Sequence, residues 1–254
     1  YVIGYPTANP CGDTMFPIDS IPDHTSVTIV GVYENTHVTV YPTHPVLASD
    51  GDSGFAIPQT DAGGVIEFDI GPYDVVNLES DQFIGSTFDC ISQVQGGRTG
   101  DFTGTKIVAT QPVVVFSSGE RGLAGGEAPE PPNWDGESCC TDHLEEQMFP
   151  ITALGWNFAV SRSPVRSTGG YREWDIYRVL ATQNNTVIDT SLADFPQFTL
   201  NEGESATFWA NKGFTVESQG GAIMLGQILV SQGYTSGGNG DSTFTMFPAV
   251  DQHR

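Results

Sequence analysis

Polar and apolar residues alternate with a period of two along much of the chain, as in residues 26–32 and 37–40. Successive side chains of an extended strand point to opposite faces, so this spacing predicts β-strands with one buried face. Residues 111–116 are instead almost continuously apolar, which is typical of a strand buried on both faces. A helical signal is confined to residues 142–147, where a Thr-Asp pair can cap one short turn. The pattern therefore favours an all-β fold with short loops and little helix.

The chain also repeats itself. Met-Phe-Pro begins at residues 15, 148 and 246, and Asn-Thr follows a strand pattern at 35 and 185. Residues 68–74 parallel 198–204, and residues 106–115 parallel 214–223. Strand–turn–strand units look alike in general, but the common order of these landmarks favours duplication.

We therefore predict two tandem, duplicated β-sandwich-like modules. The first is residues 1–138, which close in a Gly- and Pro-rich loop at 119–138, and the second is residues 139–254. The third Met-Phe-Pro copy is either the closing strand of the second module or the start or donor strand of a further one.

Composition excludes several classes of partner. The 254 residues include 31 Asp and Glu against 9 Lys and Arg, a net charge of −22, so the chain lacks the basic surface that nucleic acids require. With 38% hydrophobic and only 16% charged residues, it is not a disordered acidic tail. No apolar run is long enough to cross a bilayer, so we predict no membrane span.

The four cysteines favour two disulfides; they are Cys11, Cys90, Cys139 and Cys140. Neighbouring cysteines rarely pair with each other, because the bond strains the peptide between them. Two connectivities remain: 11 with 139 and 90 with 140, or 11 with 140 and 90 with 139. Disulfides are typical of oxidising compartments, and free thiols are the alternative. The N-terminus has neither Met nor a basic leader, which indicates a removed signal peptide or an excised segment. We expect an extracellular or cell-surface location.

Several segments resemble one known family. Residues 140–150 read Cys-Thr-Asp-His-Leu-Glu-Glu-Gln-Met-Phe-Pro, which is similar to the Cys–Asp–His–Leu–x–Glu–Gln–x–x–Pro element of the IgGFc-binding protein N-terminal domain family. Further matches in family order lie at 101–117, 154–158, 175–181 and 240–249, the last with Ser242 and Ala249 in place of prolines. The resemblance covers residues 14–252. It implies an extracellular, non-enzymatic module of adhesion or matrix assembly whose partner is a protein or glycan.

Within that element, five residues are expected to be structural: Asp142, His143, Glu146, Gln147 and Pro150. Beside the vicinal cysteines, their polar groups would tie a buried turn to neighbouring backbone. His143 and Glu146 lack the second His of a zinc site. Residues 51–54 copy the Gly-Asp-Ser-Gly of serine proteases, but no His is placed to activate Ser53. We therefore predict no catalytic residue and no enzyme activity.

Two further groups of residues are candidates for ligand binding. Four of the seven arginines cluster near one tryptophan, in a candidate patch for acidic sugars or carboxylates: Arg162, Arg166, Arg172, Trp174 and Arg178. The alternative is that these arginines pair with carboxylates of the same protein. No cofactor is predicted, although acidic loops are candidates for Ca²⁺ or for solvated turns: Asp50 with Asp52, and Asn239 with Asp241. Asn184 begins an Asn-Asn-Thr glycosylation sequon.

The sequence thus predicts a non-enzymatic extracellular binding or adhesion module. The alternative function is that of a structural subunit of an extracellular filament or surface layer, a homopolymer assembled by strand exchange.

Overall fold

A computed structural model of the protein describes residues 1–8, 11, 22–51, 54, 56–81, 99–132, 134, 136, 140–237 and 239–252. The fold is all-β, as the alternation predicts, with its strands arranged in four small sheets. Helical structure in the described residues is limited to three 3₁₀ turns, at Ile151–Ala153, Gln232–Tyr234 and Val250–Gln252. None of the helices in these ranges is long and apolar enough to span a membrane. The chain divides into two compact units, Tyr1–Gly122 and Leu123–Arg254.

The first unit contributes two three-stranded arrangements. Its strands are β1 (Thr25–Gly31), β2 (Thr36–Tyr41), β3 (Ile66–Ile70), β4 (Val75–Glu79), β5 (Lys106–Ala109) and β6 (Val113–Gly122). β1 lies between β4 and β6, and β2 lies between β3 and β5, all in antiparallel pairs. Alternate residues of β1 are buried, including Val27 and Ile29, which are at most 1% exposed. One face of this strand therefore packs into a core, as its period of two predicts.

The second unit contains nine strands in the described residues. They are β7 (Asp142–Gln147), β8 (Asn157–Val160), β9 (Asp175–Ala181), β10 (Thr186–Thr190), β11 (Gln197–Leu200), β12 (Ser205–Ala210), β13 (Phe214–Gln219), β14 (Ile223–Leu229) and β15 (Thr243–Met246). One sheet has the order β12-β9-β14-β15, and the other has the order β11-β10-β13-β8. β7 lies beside β15.

Strands of both sheets in the second unit share one hydrophobic core. At its centre the ring of Tyr177 lies 5.6 Å from that of Phe208 and 4.8 Å from that of Phe214, centroid to centroid. Burying each such ring contributes about 1.5–3 kcal/mol, and favourable ring pairs add about 0.5–1.5 kcal/mol. This core holds the start of β9 and the end of β12 rigidly, and both border the site described below.

The six strands that the structure describes in the first unit pair in the same pattern as strands β9–β14 of the second. β4-β1-β6 corresponds to β12-β9-β14, and β3-β2-β5 corresponds to β11-β10-β13. The turns correspond as well: Asn35 and Asn185 have φ of 55° and 57°, and the following threonines, Thr36 and Thr186, each donate a 2.8 Å hydrogen bond to the carbonyl three residues earlier. These are the Asn-Thr landmarks of the sequence. The Met-Phe-Pro copy at residue 15 lies outside the described residues.

Two local predictions are wrong. Asp142–Gln147 is a strand and not a helical turn, and of its residues only Leu144 is buried. Its neighbour β15 supplies the tertiary contact that overrides the local capping signal. Residues 113–116 are each only partly buried, so β6 is not buried on both faces there. Among the strands that the structure describes, β9 and β14 have both faces buried.

Candidate functional site

The loop between β8 and β9 is organised by a fully buried carboxylate, that of Glu173. Its two oxygens accept hydrogen bonds from the backbone N–H of Arg166 at 2.7 Å and of Ser167 at 3.2 Å. Oε1 also lies 3.8 Å from Arg162 Nη2 and 3.6 Å from Arg166 Nε. Burial alone would raise the pKa of Glu173, but the hydrogen bonds outweigh it and the pKa lies below its ordinary value of 4.5. Glu173 is therefore an ionised structural anchor.

A second buried carboxylate, that of Asp175, extends this network into β9. It accepts hydrogen bonds from the backbone N–H of Ser163 at 3.0 Å and from Gln227 Nε2 at 2.8 Å. Gln227 also contacts the Tyr177 hydroxyl at 3.3 Å. Burial, with the nearby charge of Asp175, raises the pKa of Tyr177. The phenol of Tyr177 is thus neutral. Its ring packs in the hydrophobic core, so its proton is not exposed for transfer.

These contacts account for two of the four arginines in the predicted patch, Arg162 and Arg166. The side chains of Arg162 and Arg166 are only 13% and 17% exposed, and both face Glu173. Arg166 also donates to the carbonyl oxygens of Val230 and Asp241, at 2.8 and 3.1 Å. Arg178 is buried and Arg172 is exposed. For Arg162 and Arg166 the geometry matches the alternative in which the arginines pair with the protein's own acidic groups.

Trp174, the fifth residue of that patch, lines a shallow pocket of about 120 Å³ at the start of β9. Its aromatic walls are Trp174, Phe195 and Trp209, all half-buried. The ring of Phe195 stands edge-on to Trp209 at 4.7 Å and also contacts Phe208 of the core at 5.9 Å. The pocket walls are therefore fixed by the packed interior rather than carried by a loose loop.

Polar groups stand at the rim of this pocket, namely Asp194, Asn211 and Lys212. Lys212 is exposed and forms no ion pair within the described residues. It is one of only two lysines in the sequence. Aromatic faces with a cation at the edge can hold a flat or ring-shaped group that carries negative charge. Trp174 is predicted from the sequence, whereas Trp209 and Lys212 are not, although a lysine next to an aromatic strand in so acidic a chain is a signal for such a site.

The residues of the Cys–Asp–His–Leu element occupy β7 and the following turn. Asp142 and Glu146 each accept a hydrogen bond from the next backbone N–H, at 2.8 and 3.1 Å. Burial raises the pKa of Glu146. His143 Nε2 lies 3.2 Å from Glu145, with both side chains about half exposed. Gln147 ends the strand, and Pro150 precedes the 3₁₀ turn Ile151–Ala153. These contacts are local and bring no second histidine to His143.

The predicted calcium, glycosylation and cysteine positions are only partly described. No group of three or more His, Cys, Asp or Glu side chains that could hold a metal ion occurs in the described part of the chain. Asp52 lies outside it, Asp50 and Asn239 are exposed, and the Asp241 carbonyl binds Arg166. Asn184 is exposed in a turn, where its side chain accepts from Glu202 N–H at 3.1 Å. Cys11 and Cys140 each take part in a disulfide bond. Cys90 and Cys139 lie outside the described residues, so the connectivity stays a prediction.

The fold and the pocket define an all-β protein with a small, rigid aromatic site. Comparison with known families matches residues 4–254 to the IgGFc binding protein family, and the chain belongs to that family. No curated protein and no solved structure matches the chain. The resemblance inferred from residues 140–150 and the flanking segments is therefore confirmed over nearly the whole sequence.

Proposed function

We propose that the protein is a non-enzymatic, extracellular binding module of adhesion type. The observation that carries this proposal is the family match over residues 4–254, because the family description names a binding protein. The strand-pairing pattern common to the two units supports a duplicated scaffold that presents turns and pockets. The buried carboxylates of Glu173 and Asp175 are engaged by backbone and side-chain donors, so these two groups are structural in this proposal.

The pocket of the second unit is our proposed ligand site, and an acidic sugar of a glycan is its proposed ligand. A sugar ring can stack its C–H face on Trp174 or Trp209, and its carboxylate can approach Lys212 at the rim. In this proposal Lys212 takes the role that the sequence analysis gave to the arginines.

Glucuronic acid and glucose form a matched pair of probes, because they differ only in the carboxylate at one ring substituent. In saturation-transfer NMR we expect glucuronic acid to bind at least about tenfold more tightly, the equivalent of one charge-assisted contact. Lys212→Gln should abolish the difference, whereas Lys106→Gln, which removes an equal charge in the first unit, should leave it intact. Equal signals from both sugars with the wild-type protein would overturn the assignment to acidic sugars.

The alternative function, a filament or surface-layer subunit, arose from the third Met-Phe-Pro copy. Met246 ends β15 and pairs with Gly226 of β14, so this copy already belongs to a sheet of its own unit. A strand-exchanged polymer remains testable by analytical ultracentrifugation of the purified chain. Large assemblies would favour the filament, and a single species near 27.2 kDa would favour the binding module.

A further inference from the structure

Corresponding turns in the two units have the same backbone hydrogen bonds. In the first unit, Tyr73 N–H donates to the Gly31 carbonyl at 2.9 Å, and Asp74 accepts from Gly71 N–H at 2.8 Å. In the second unit, Gly203 N–H donates to the Ala181 carbonyl at 2.9 Å. In the same turn, the Glu204 carboxylate accepts a 2.7 Å hydrogen bond from the backbone N–H of Asn201. The register also matches, since Val30 pairs with Val75 and Leu180 pairs with Ser205.

The side chains on these matched turns are very different. The first unit exposes a set of apolar residues, which we call the tyrosine tip: Val32 (41% exposed), Tyr33 (51%), Tyr73 (90%) and Val75 (62%). The matching positions of the second unit are Thr182, Gln183, Gly203 and Ser205. The backbone scaffold is thus compatible with polar or small residues at all four positions, so folding alone does not require the apolar set.

Tyr73 is the most informative member of the tip. Its φ is 70°, a left-handed conformation that disfavours bulky side chains, and the matching Gly203 has φ of 80°. A non-glycine residue in this region carries a conformational cost. Because 90% of the tyrosine is exposed, little packing in the folded chain offsets this cost. A strained, exposed aromatic residue on a rigid turn is the expected signature of a contact made with another molecule.

The charges around the tip define the chemistry of that molecule. A Cβ on Gly71 would lie 3.3 Å from Glu34 Oε2 and 3.5 Å from Asp74 Oδ2, so two carboxylates stand close together beside the tyrosines. Neither has an ion-pair partner within the described residues. A cation supplied from outside would relieve their repulsion, and its apolar stem could lie against a tyrosine ring.

We infer that the tyrosine tip binds a segment of a partner protein in which Arg or Lys lies among large apolar side chains. The cation approaches Glu34 and Asp74, and the apolar side chains cover Tyr33, Tyr73 and the two valines. Tyrosine on a rigid turn is suited to this role, because it offers a large contact area with few rotatable bonds to immobilise. The surface lies in the first unit and does not depend on the sugar pocket of the second.

A phage-displayed library of random 12-residue peptides provides the test, with the full chain immobilised as bait. We expect enriched peptides to combine Arg or Lys with Leu, Ile, Phe or Trp, and we expect at least tenfold weaker binding of those peptides to Tyr73→Gly, as for an interface hot spot. Thermal unfolding of Tyr73→Gly should occur at the same or a higher temperature than wild type, because glycine relieves the positive φ. Tyr41→Ser, which removes a 43% exposed tyrosine outside the tip, is the matched control and should bind normally.

The charge requirement is tested by Glu34→Gln, which should weaken binding and flatten its salt dependence. Three results would each overturn the inference: no consensus among the enriched peptides, a consensus without basic residues, or a consensus that Tyr73→Gly binds as well as wild type. None of these outcomes affects the sugar-binding result at Lys212, so the two proposals fail independently.

Discussion

Glu173→Gln is the sharpest test of the buried network beside the pocket. The substitution keeps the side-chain shape but removes the negative charge that faces Arg162 and Arg166. Breaking one side of a buried ion pair costs about 3–5 kcal/mol. The glutamine oxygen can still accept one of the two backbone N–H bonds, worth about 1 kcal/mol, and Arg166 keeps its bonds to carbonyl oxygens. We therefore expect a loss of about 3 kcal/mol, at the low end of that range.

Urea unfolding followed by tryptophan fluorescence measures this loss in the second unit alone, because all four tryptophans lie between residues 134 and 209. With a denaturant slope of about 3 kcal/mol per molar, the midpoint should fall by about 1 M. Glu145→Gln is the matched control: its partner His143 is half exposed, so the change should stay within about 0.5 kcal/mol. Equal midpoints for the two variants would refute the assignment of Glu173 as an ionised anchor.

The same pair of proteins has a defined pH dependence. The pKa of Glu173 in the folded state lies below its ordinary value of 4.5, so its ionised form stabilises the fold fully above that value. This contribution is lost as pH falls below 4.5 and through the lowered folded pKa. The difference in unfolding free energy between wild type and Glu173→Gln should be constant from pH 7 to 5 and shrink at lower pH. A difference that grows on acidification would contradict the assigned sign.

Two further predictions follow from local geometry, and a third follows from the acidic loops of the sequence. Gly125→Ala should lower the unfolding temperature, at a cost of about 1–3 kcal/mol, because φ is 136° and the new Cβ would overlap the ring of Tyr234; an unchanged melting curve would show that the ring moves freely. Asn185→Gly should leave stability within about 0.5 kcal/mol, whereas Asn185→Val should cost about 1–2 kcal/mol at φ 57°, as chemical denaturation of both variants will show. If the acidic loops hold Ca²⁺, EDTA should lower the melting temperature, and an unchanged value would remove that proposal.

The parts of the fold that were predictable are those set by local patterns. Alternation identified β1, because a period of two leaves one face of a strand apolar. The Asn-Thr landmarks identified matching turns, because Asn tolerates the positive φ that both turns need. Strand register was harder to predict from the sequence. The internal repeat aligns residue 114 with residue 222, whereas the strand pairing makes Val114 and Met224 the equivalent positions of the two units. Register depends on partner strands that are distant in the sequence.

The site was harder to predict than the strands, because its residues converge only in three dimensions. Trp174, Phe195 and Lys212 come from three separate connections and are brought together by the pairing of β12 with β9. The arginines looked like a ligand patch because they cluster along the chain. The burial of Arg162 and Arg166 against Glu173 depends on a loop path that sequence spacing does not reveal. The composition shows that carboxylates are plentiful enough to pair with arginines, but it does not show which carboxylate a given arginine contacts.

The close approach of Gly31 to the carbonyl oxygen of Gly71 limits how the two units could exchange parts. A Cβ at residue 31 would collide with that oxygen, yet the matching strand of the second unit ends in Ala181. A chimera with the β9 sequence in place of β1 would place the methyl group of Ala181 at this position. The neighbouring turn at Gly71 would therefore have to move away to make room for it. Although the strands of the two units pair in the same pattern, the alanine that ends β9 would not fit beside Gly71 without this movement.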